Sequence, residues 1–449
     1  MKIIRGFADA CQVLKRNGGI RLPEPSVEVK NRLKYLFGTQ DPAQAVAVII
    51  DSVKKRGDAA LLEFTEKIDG TVLQGFKVPE DEVAEAANRI APSLLMDLRT
   101  AAKNVVSFHR RQMKALERGI RGMAPGTLPR ILERVGVYVP GGTASYPSSV
   151  FMTVIPARVA GVKQVIMATP PGKDGRIPAM TLTAASLAGV DSIFAVGGAQ
   201  AIAAMAYGTE SIPPVDKICG PGNLFVMLAK KQVYGTVAID GLQGPSEVLI
   251  IADDTANPEW VARDILAQAE HDILAQSILV TTAPELAGLV LKCIENEIHL
   301  EKRRSIIEES LENRGIIAVV ETTDEAVALS NLYAPEHLCL YVKDYSSLLY
   351  NINNAGCVFT GSHPTVVMGD YIAGPSHALP TGGTARFASA LNVSDFVRYV
   401  NVVETTPEMM TRYGPVAAAI ARAEGLPAHC RAASSAGKEE MDATKSGSC

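Results

Sequence analysis

A chain of 449 residues is longer than one hydrophobic core ordinarily organises, so two or more lobes sharing a cleft are expected. Hydrophobic residues at 47% and charged residues at 20% exclude a mainly disordered chain. The net charge of −4 is spread without a basic stripe, which excludes electrostatic recognition of nucleic acid or anionic membrane and points to a small ligand.

The chain opens with Lys2, Arg5 and Asp9 inside what would have to be an apolar run, so no secretory signal is expected. No later stretch reaches the ~18 uncharged apolar residues of a membrane span, and a cytoplasmic protein is expected. Seven scattered cysteines without a CxxC pair argue against a disulfide framework or a thiolate zinc site. From Asp41 to His109, apolar positions such as Ala45, Val48, Ile49 and Val53 recur three and four apart and predict helices. Near residue 135 the pattern changes. Short β-branched runs (Val135–Val139, Val162–Met167, Ser192–Val196, Val215–Cys219) alternate with Ala-rich helical stretches, as in βαβ units. A second series follows, with strands Val248–Ala252, Ser277–Thr282, Gly315–Val320 and Cys339–Val342 and a helix over Pro258–Gln268. The fold class is α/β: two Rossmann-like doubly wound lobes with parallel sheets, plus small N-terminal and C-terminal helical extensions. The last stretch, from Ser434, is small and polar and predicts a disordered tail.

Several segments could carry chemistry. Gly197-Gly198 stands between a predicted strand and helix, where backbone amides can face a phosphate, although a plain tight turn needs glycine too. Val139-Pro-Gly-Gly-Thr143 and Cys219-Gly-Pro-Gly-Asn223 are two more such turns, and three at one sheet edge suit a nucleotide. Gln268 and His271 stand three apart near a helix end and project from one face as potential metal ligands; a lone His there also suits the helix dipole. Asp370 in Met368-Gly-Asp-Tyr371 and His429 in Gly425-Leu-Pro-Ala-His429 read singly as turn residues or caps. Glu336-His337, before a predicted strand, could move two different protons near neutral pH, though a surface turn would look the same.

Read together, GVYVPGGTASYPSSVFMTVIPARVAGV (136 to 162), GGAQAIAAMAYGTESIPPVDKICGPGN (197 to 223), GPSEVLIIADDTANPEWVA (244 to 262), AQAEHD, APEHL, GDYIAGPSHALPTGGTARF and EGLPAH resemble the histidinol dehydrogenase family, in its order and spacing, to about residue 432. The resemblance implies a zinc-dependent, NAD-dependent four-electron oxidation of L-histidinol to L-histidine through L-histidinal, the last step of histidine biosynthesis. It implies Gln268, His271, Asp370 and His429 as ligands of one Zn²⁺ per subunit, with Mn²⁺ a possible substitute, and His429 coming from the other subunit of a homodimer. His337 would be the general base and Glu336 would activate water. Ser246 and Glu424, with the metal ligands and His337, would contact substrate. Tyr138, Gln200 and Asn223 would contact NAD. The implied plan is an N-terminal extension (1–25), a catalytic lobe (26–137 with 245–390), an NAD-binding lobe (138–244), a C-terminal helical arm contacting the partner subunit (391–433) and the tail (434–449).

The chain departs from the family's usual pattern at Leu242 and Gln243, at Ser376, and over Arg398–Asn401, all in segments that could shape the pocket. A related zinc and NAD enzyme acting on another polar alcohol, such as a sulfonated diol, is one alternative; it would want a cationic contact where Glu424 stands. A small-metabolite binding protein without catalysis and a thiol-based aldehyde dehydrogenase are two others.

Overall fold

The structure is a computed structural model that describes residues 1–16, 25–121, 126–141 and 145–434. The predicted tail beyond Ser434, and Gly142 and Thr143 of the first Gly-rich turn, lie outside the described residues. Thirteen strands are present among the described residues: β1 (Lys2–Arg5), β2 (Thr127–Ile131), β3 (Arg134–Tyr138), β4 (Gln164–Thr169), β5 (Ser192–Ala195), β6 (Lys217–Cys219), β7 (Ala238–Ile239), β8 (Glu247–Ala252), β9 (Gln276–Thr281), β10 (Ile316–Val319), β11 (His337–Tyr341), β12 (Cys357–Phe359) and β13 (Val397–Asn401).

The chain divides into two compact units. The first, Met1–Arg118 with Ile131–Arg398, holds two parallel sheets. One has five strands in the order β5-β4-β3-β6-β7, and the other six in the order β1-β10-β9-β8-β11-β12. Period-two alternation divides each sheet into two buried faces, which is why the strands read as continuous apolar runs. On the five-stranded sheet, Val135, Val137, Val165 and Met167 face helices over Pro92–Arg121, Pro147–Ala160 and Ala179–Ala188. Tyr138, Ile166, Ala168 and Phe194 face helices over Pro42–Arg56, Asp58–Phe64, Gly198–Tyr207 and Leu224–Val233. The six-stranded sheet is covered likewise: Val248, Ile250 and Leu279 lie toward Pro258–Ala269 and Pro284–Glu297, and Leu249, Ile251 and Leu338 toward Phe7–Leu14 and Thr323–Tyr333. The first residues of the chain thus supply an edge strand as well as a helix.

The second unit comprises Gly119–Arg130 with Tyr399–Cys449. Its helices Pro407–Ala423 and Pro427–Ser434 pack on one another. Among the described residues, no helix is long and apolar enough to cross a membrane.

Packing leaves the Asp69 carboxyl in the first unit poorly satisfied. Asp69 closes a π-helical turn, Thr65–Asp69, and its Oδ2 is buried without a hydrogen-bond partner. Burial pushes its pKa up to about 6, against the opposing pull of Arg32. A carboxyl raised in the folded state favours folding below its unfolded value near 3.9, and that advantage disappears as pH rises through about 6. Asp69→Asn is therefore expected to raise the Tm by about 1–2 °C at pH 8 and to leave it unchanged at pH 4, which thermal unfolding at the two pH values checks.

Candidate active site

A cleft of about 520 Å³ lies in the first unit, lined by loops leaving β3 and β6 and by loops entering β8, β9 and β11. It thus uses the C-terminal edge of one sheet and the N-terminal edge of the other. The lining includes Asn223, Ser246, His271, Glu336, His337, Asp370 and His377.

His337 is the first residue of β11, and its ring nitrogens are distinguishable by their surroundings. Nδ1 lies 3.1 Å from the backbone carbonyl of Glu247, which can only accept, so Nδ1 carries the proton and Nε2 the lone pair. Nε2 is buried without a hydrogen-bond partner, 3.7 Å from Asp370 Oδ1. Burial pushes the His337 pKa down to about 3, so the ring is neutral around pH 7. Beside it, Glu336 Oε2 accepts the Glu247 N–H at 2.8 Å. Burial raises the Glu336 pKa well above the usual carboxylate range, opposed by that hydrogen bond. A neutral imidazole with a free lone pair and a carboxyl of raised basicity are two proton acceptors side by side.

Asp370 sits in the short helix Val366–Tyr371, and burial, followed by the charge of Asp264, raises its pKa to about 7. His271 follows the helix Pro258–Ala269 that carries Gln268, and partial desolvation of its ring, then the charge of Arg303, lowers its pKa. Gln268 Nε2 is buried with no partner. Among the described residues, no group of three or more His, Cys, Asp or Glu is gathered closely enough to hold a metal. Of the four predicted ligands, the first unit holds three at or beside the cleft, the Asp370 carboxyl, the His271 imidazole and the unsatisfied Gln268 amide, a hard, thiolate-free donor set that fits Zn²⁺ with a further ligand from elsewhere. A divalent ion would also reverse the pressure on Asp370, favouring its ionised form.

His377 was not singled out from sequence. Its Nδ1 donates to the Asp370 carbonyl at 3.0 Å and its Nε2 faces Ser149 Oγ at 3.4 Å, while burial lowers its pKa to about 4. It braces the backbone of Asp370. Ser376, one of the departures, is buried and donates to the Met152 carbonyl at 2.8 Å. Gln243, another, accepts from Lys230 Nζ at 2.8 Å. The buried Lys230 also bonds Asp240 at 2.5 Å and the Gly220 carbonyl at 3.0 Å, bracing the turn at 219–223. Glycine is required there: Gly220 has φ +111°, and a Cβ would stand 2.1 Å from the Tyr138 carbonyl oxygen.

The three residues expected at NAD are differently placed. Asn223 borders the cleft and caps the helix Leu224–Val233, its Oδ1 accepting from the Phe225 and Val226 amides. Tyr138 is buried, and its hydroxyl takes the Gly198 amide at 3.1 Å, one of the amides expected to face a phosphate. Gln200 is fully buried with both amide atoms lacking a partner. Ser246 borders the cleft one residue before β8. Glu424 and His429 belong to the second unit and are exposed. No described cysteine lines the cleft, and burial pushes the Cys219 and Cys339 thiols up, away from nucleophilic thiolate.

Comparison with known proteins adds to this geometry. The family model described as histidinol dehydrogenase matches residues 37–435. Histidinol dehydrogenase of Dehalococcoides mccartyi strain 195 is 54% identical over 436 residues, covering 96% of this chain and 99% of the relative. That of Moorella thermoacetica is 47% identical over 410 residues, covering 90% and 97%. Among solved structures, histidinol dehydrogenase from Elizabethkingia anophelis superposes with a TM-score of 0.86 at 34% identity, covering 98% of each chain.

Proposed function

From the premise that this chain belongs to the histidinol dehydrogenase family, we propose that its cleft oxidises L-histidinol to L-histidine through L-histidinal, with two NAD consumed per turnover. The observation that carries this reading is the pairing of His337, with a buried and unpartnered Nε2, with the adjacent Glu336. Gln268, His271 and Asp370 would hold a divalent ion together with His429 of the partner subunit. When bound, that ion supplies charge that orients the substrate's amine and imidazole, and NAD supplies the hydride acceptor. His337 accepts the hydroxyl proton at Nε2 as the carbon loses hydride, which leaves the aldehyde. Glu336 accepts a proton from the water that adds to the aldehyde, and His337, returned to its neutral form, accepts the proton of the hydrate hydroxyl as the second hydride departs and leaves the carboxylate. Ser246 and Glu424 would contact the substrate, the carboxylate of Glu424 accepting from the imidazole N–H. Tyr138, Gln200 and Asn223 belong to the NAD side of the same reading.

Stoichiometry tests the proposal. Zinc-loaded protein given limiting histidinol is expected to produce two NADH per histidinol, and to be silent with dihydroxypropanesulfonate. No turnover of histidinol, or turnover of the sulfonated diol instead, removes the substrate assignment.

The division of labour predicts an asymmetric variant. Glu336→Gln keeps an amide oxygen to accept the Glu247 N–H, so the loop should stay in place. Its kcat on histidinal is expected to fall ~10²–10³-fold while the rate of the first NADH formed from histidinol changes by less than about tenfold. Single-turnover kinetics with each substrate separates the two steps, and equal losses would contradict the assignment.

A further inference from the structure

We propose that Glu247 and Arg16 form a positioning device for Glu336 and His337, an inference that rests on reading that pair as the proton-handling groups. Glu247 opens β8, and its own main chain bonds both side chains: its N–H donates to Glu336 Oε2 at 2.8 Å, and its C=O accepts from His337 Nδ1 at 3.1 Å. The β8–β11 ladder, with His337 opposite Val248, sets the height of the strands but not the rotamers of side chains at their ends. The backbone of Glu247 supplies that missing constraint, and it selects the His337 tautomer that leaves Nε2 free to accept a proton.

The Glu247 carboxylate is anchored in turn. It is buried, and both oxygens are engaged: Oε2 with Arg16 Nη2 at 2.6 Å and Oε1 with the Gly382 amide at 3.2 Å. Arg16 has two further attachments, its Nε donating to the Tyr333 carbonyl at 2.7 Å and its guanidinium lying 3.9 Å from the centre of the Tyr333 ring. Tyr333 also donates its hydroxyl to the Gln276 side chain. The Tyr333 carbonyl immediately precedes Ala334, which at φ +53° is the only non-glycine residue with positive φ among the described residues. A left-handed alanine is held only where its surroundings over-determine it, and here it launches Pro335-Glu336-His337. Arg16 therefore grips both arms of the site, the strand end carrying Glu247 and the strained turn carrying Glu336. A buried ion pair is weak evidence for stability, since apolar packing often does as well. The planar guanidinium reaches two partners at once, Glu247 through Nη2 and the Tyr333 carbonyl through Nε, and that suits it to fixing position.

The test uses full-length, zinc-loaded Arg16→Met, Arg16→Lys and the double variant Arg16→Met/Glu247→Gln, which leaves no buried charge unpaired. The kcat for histidinol and for histidinal is expected to fall together by ~10–100-fold in Arg16→Met and in the double variant, with KM for histidinol and NAD within about twofold of wild type. Arg16→Lys should recover part of the loss. Histidine-labelled ¹⁵N spectra, with His337 assigned by the signal lost in His337→Asn, should change from one Nδ1-protonated form in wild type to a tautomer mixture in the variants. A folded Arg16→Met or double variant with wild-type kcat and an unchanged His337 signal overturns the proposal. Should Arg16→Met not fold, the double variant answers in its place; failure of both, with unchanged kcat in Arg16→Lys, would mean the pair serves stability alone and would overturn it too. Absence of histidinol turnover by wild-type protein would sink the proposed function instead, and the His337 tautomer would still report on the clamp.

Discussion

His337→Asn is expected to lower the rate of both oxidation steps by ~10²–10⁴-fold, the range associated with losing a positioned general base. Asparagine suits the test because its amide N–H can still donate to the Glu247 carbonyl, the bond His337 makes through Nδ1 at 3.1 Å. The structural attachment is kept and the lone pair at Nε2 is removed. Since burial already holds the imidazole neutral, with a pKa near 3, the wild-type ring is competent to accept a proton throughout the neutral range. The loss should therefore be in kcat and independent of pH between about 6 and 9, with KM for NAD little changed. Steady-state kinetics on histidinol and on histidinal measures it. A variant impaired with only one of the two substrates would show that another group takes the proton in one half-reaction.

That imidazole was legible in the sequence only as a candidate, and the reason is physical. The βαβ series was readable because parallel strands buried on both faces leave unbroken β-branched runs, as at Val248–Ala252, within β8. The strands that escaped notice are short or charged: Lys2–Arg5 has charged residues at both ends, and β7 spans two residues. Periodicity also predicted the early helices without saying which sheet they would cover, and Val46, Ile49 and Leu61 pack with Tyr138 and Ile166 of the five-stranded sheet. The site was harder. Glu247 and Glu336 are 89 positions apart, and the part Glu247 plays at Glu336 and His337 is carried by its backbone, which any residue possesses. The expectation that ligands gather at the C-terminal ends of strands covers only half of this cleft, because Glu336, His337 and Ser246 stand where β11 and β8 begin. Resemblance to a family gathers those segments where spacing cannot, and the brace at His377 and the clamp at Arg16 exist only in the folded chain.

Mixing two inactive variants is expected to restore activity if each site draws on both subunits. His429 and Glu336 belong to different compact units of the chain, and His429 is exposed on the helix Pro427–Ser434. A histidine left in water gains little by folding against its own chain, whereas one supplied across a twofold axis would complete the donor set proposed for His271, Asp370 and Gln268. Consider protomers carrying His429→Asn or Glu336→Gln, each nearly inactive alone on the full conversion to histidine. In a mixed dimer, one site combines an intact Glu336 with an intact His429, and the other combines both defects. Random reassociation makes about half the dimers mixed and half of their sites whole, so roughly one quarter of wild-type activity should return. Zinc content should stay at about half the sites before and after exchange, because Glu336→Gln removes no ligand, so recovered activity reports the pairing of subunits rather than metal uptake. Two NADH per histidinol at about this level, appearing only after subunits exchange, is the expected outcome. Activity remaining at the average of the two parents would place His429 in the site of its own protomer or outside the site altogether, and would remove it from the ligand set proposed here.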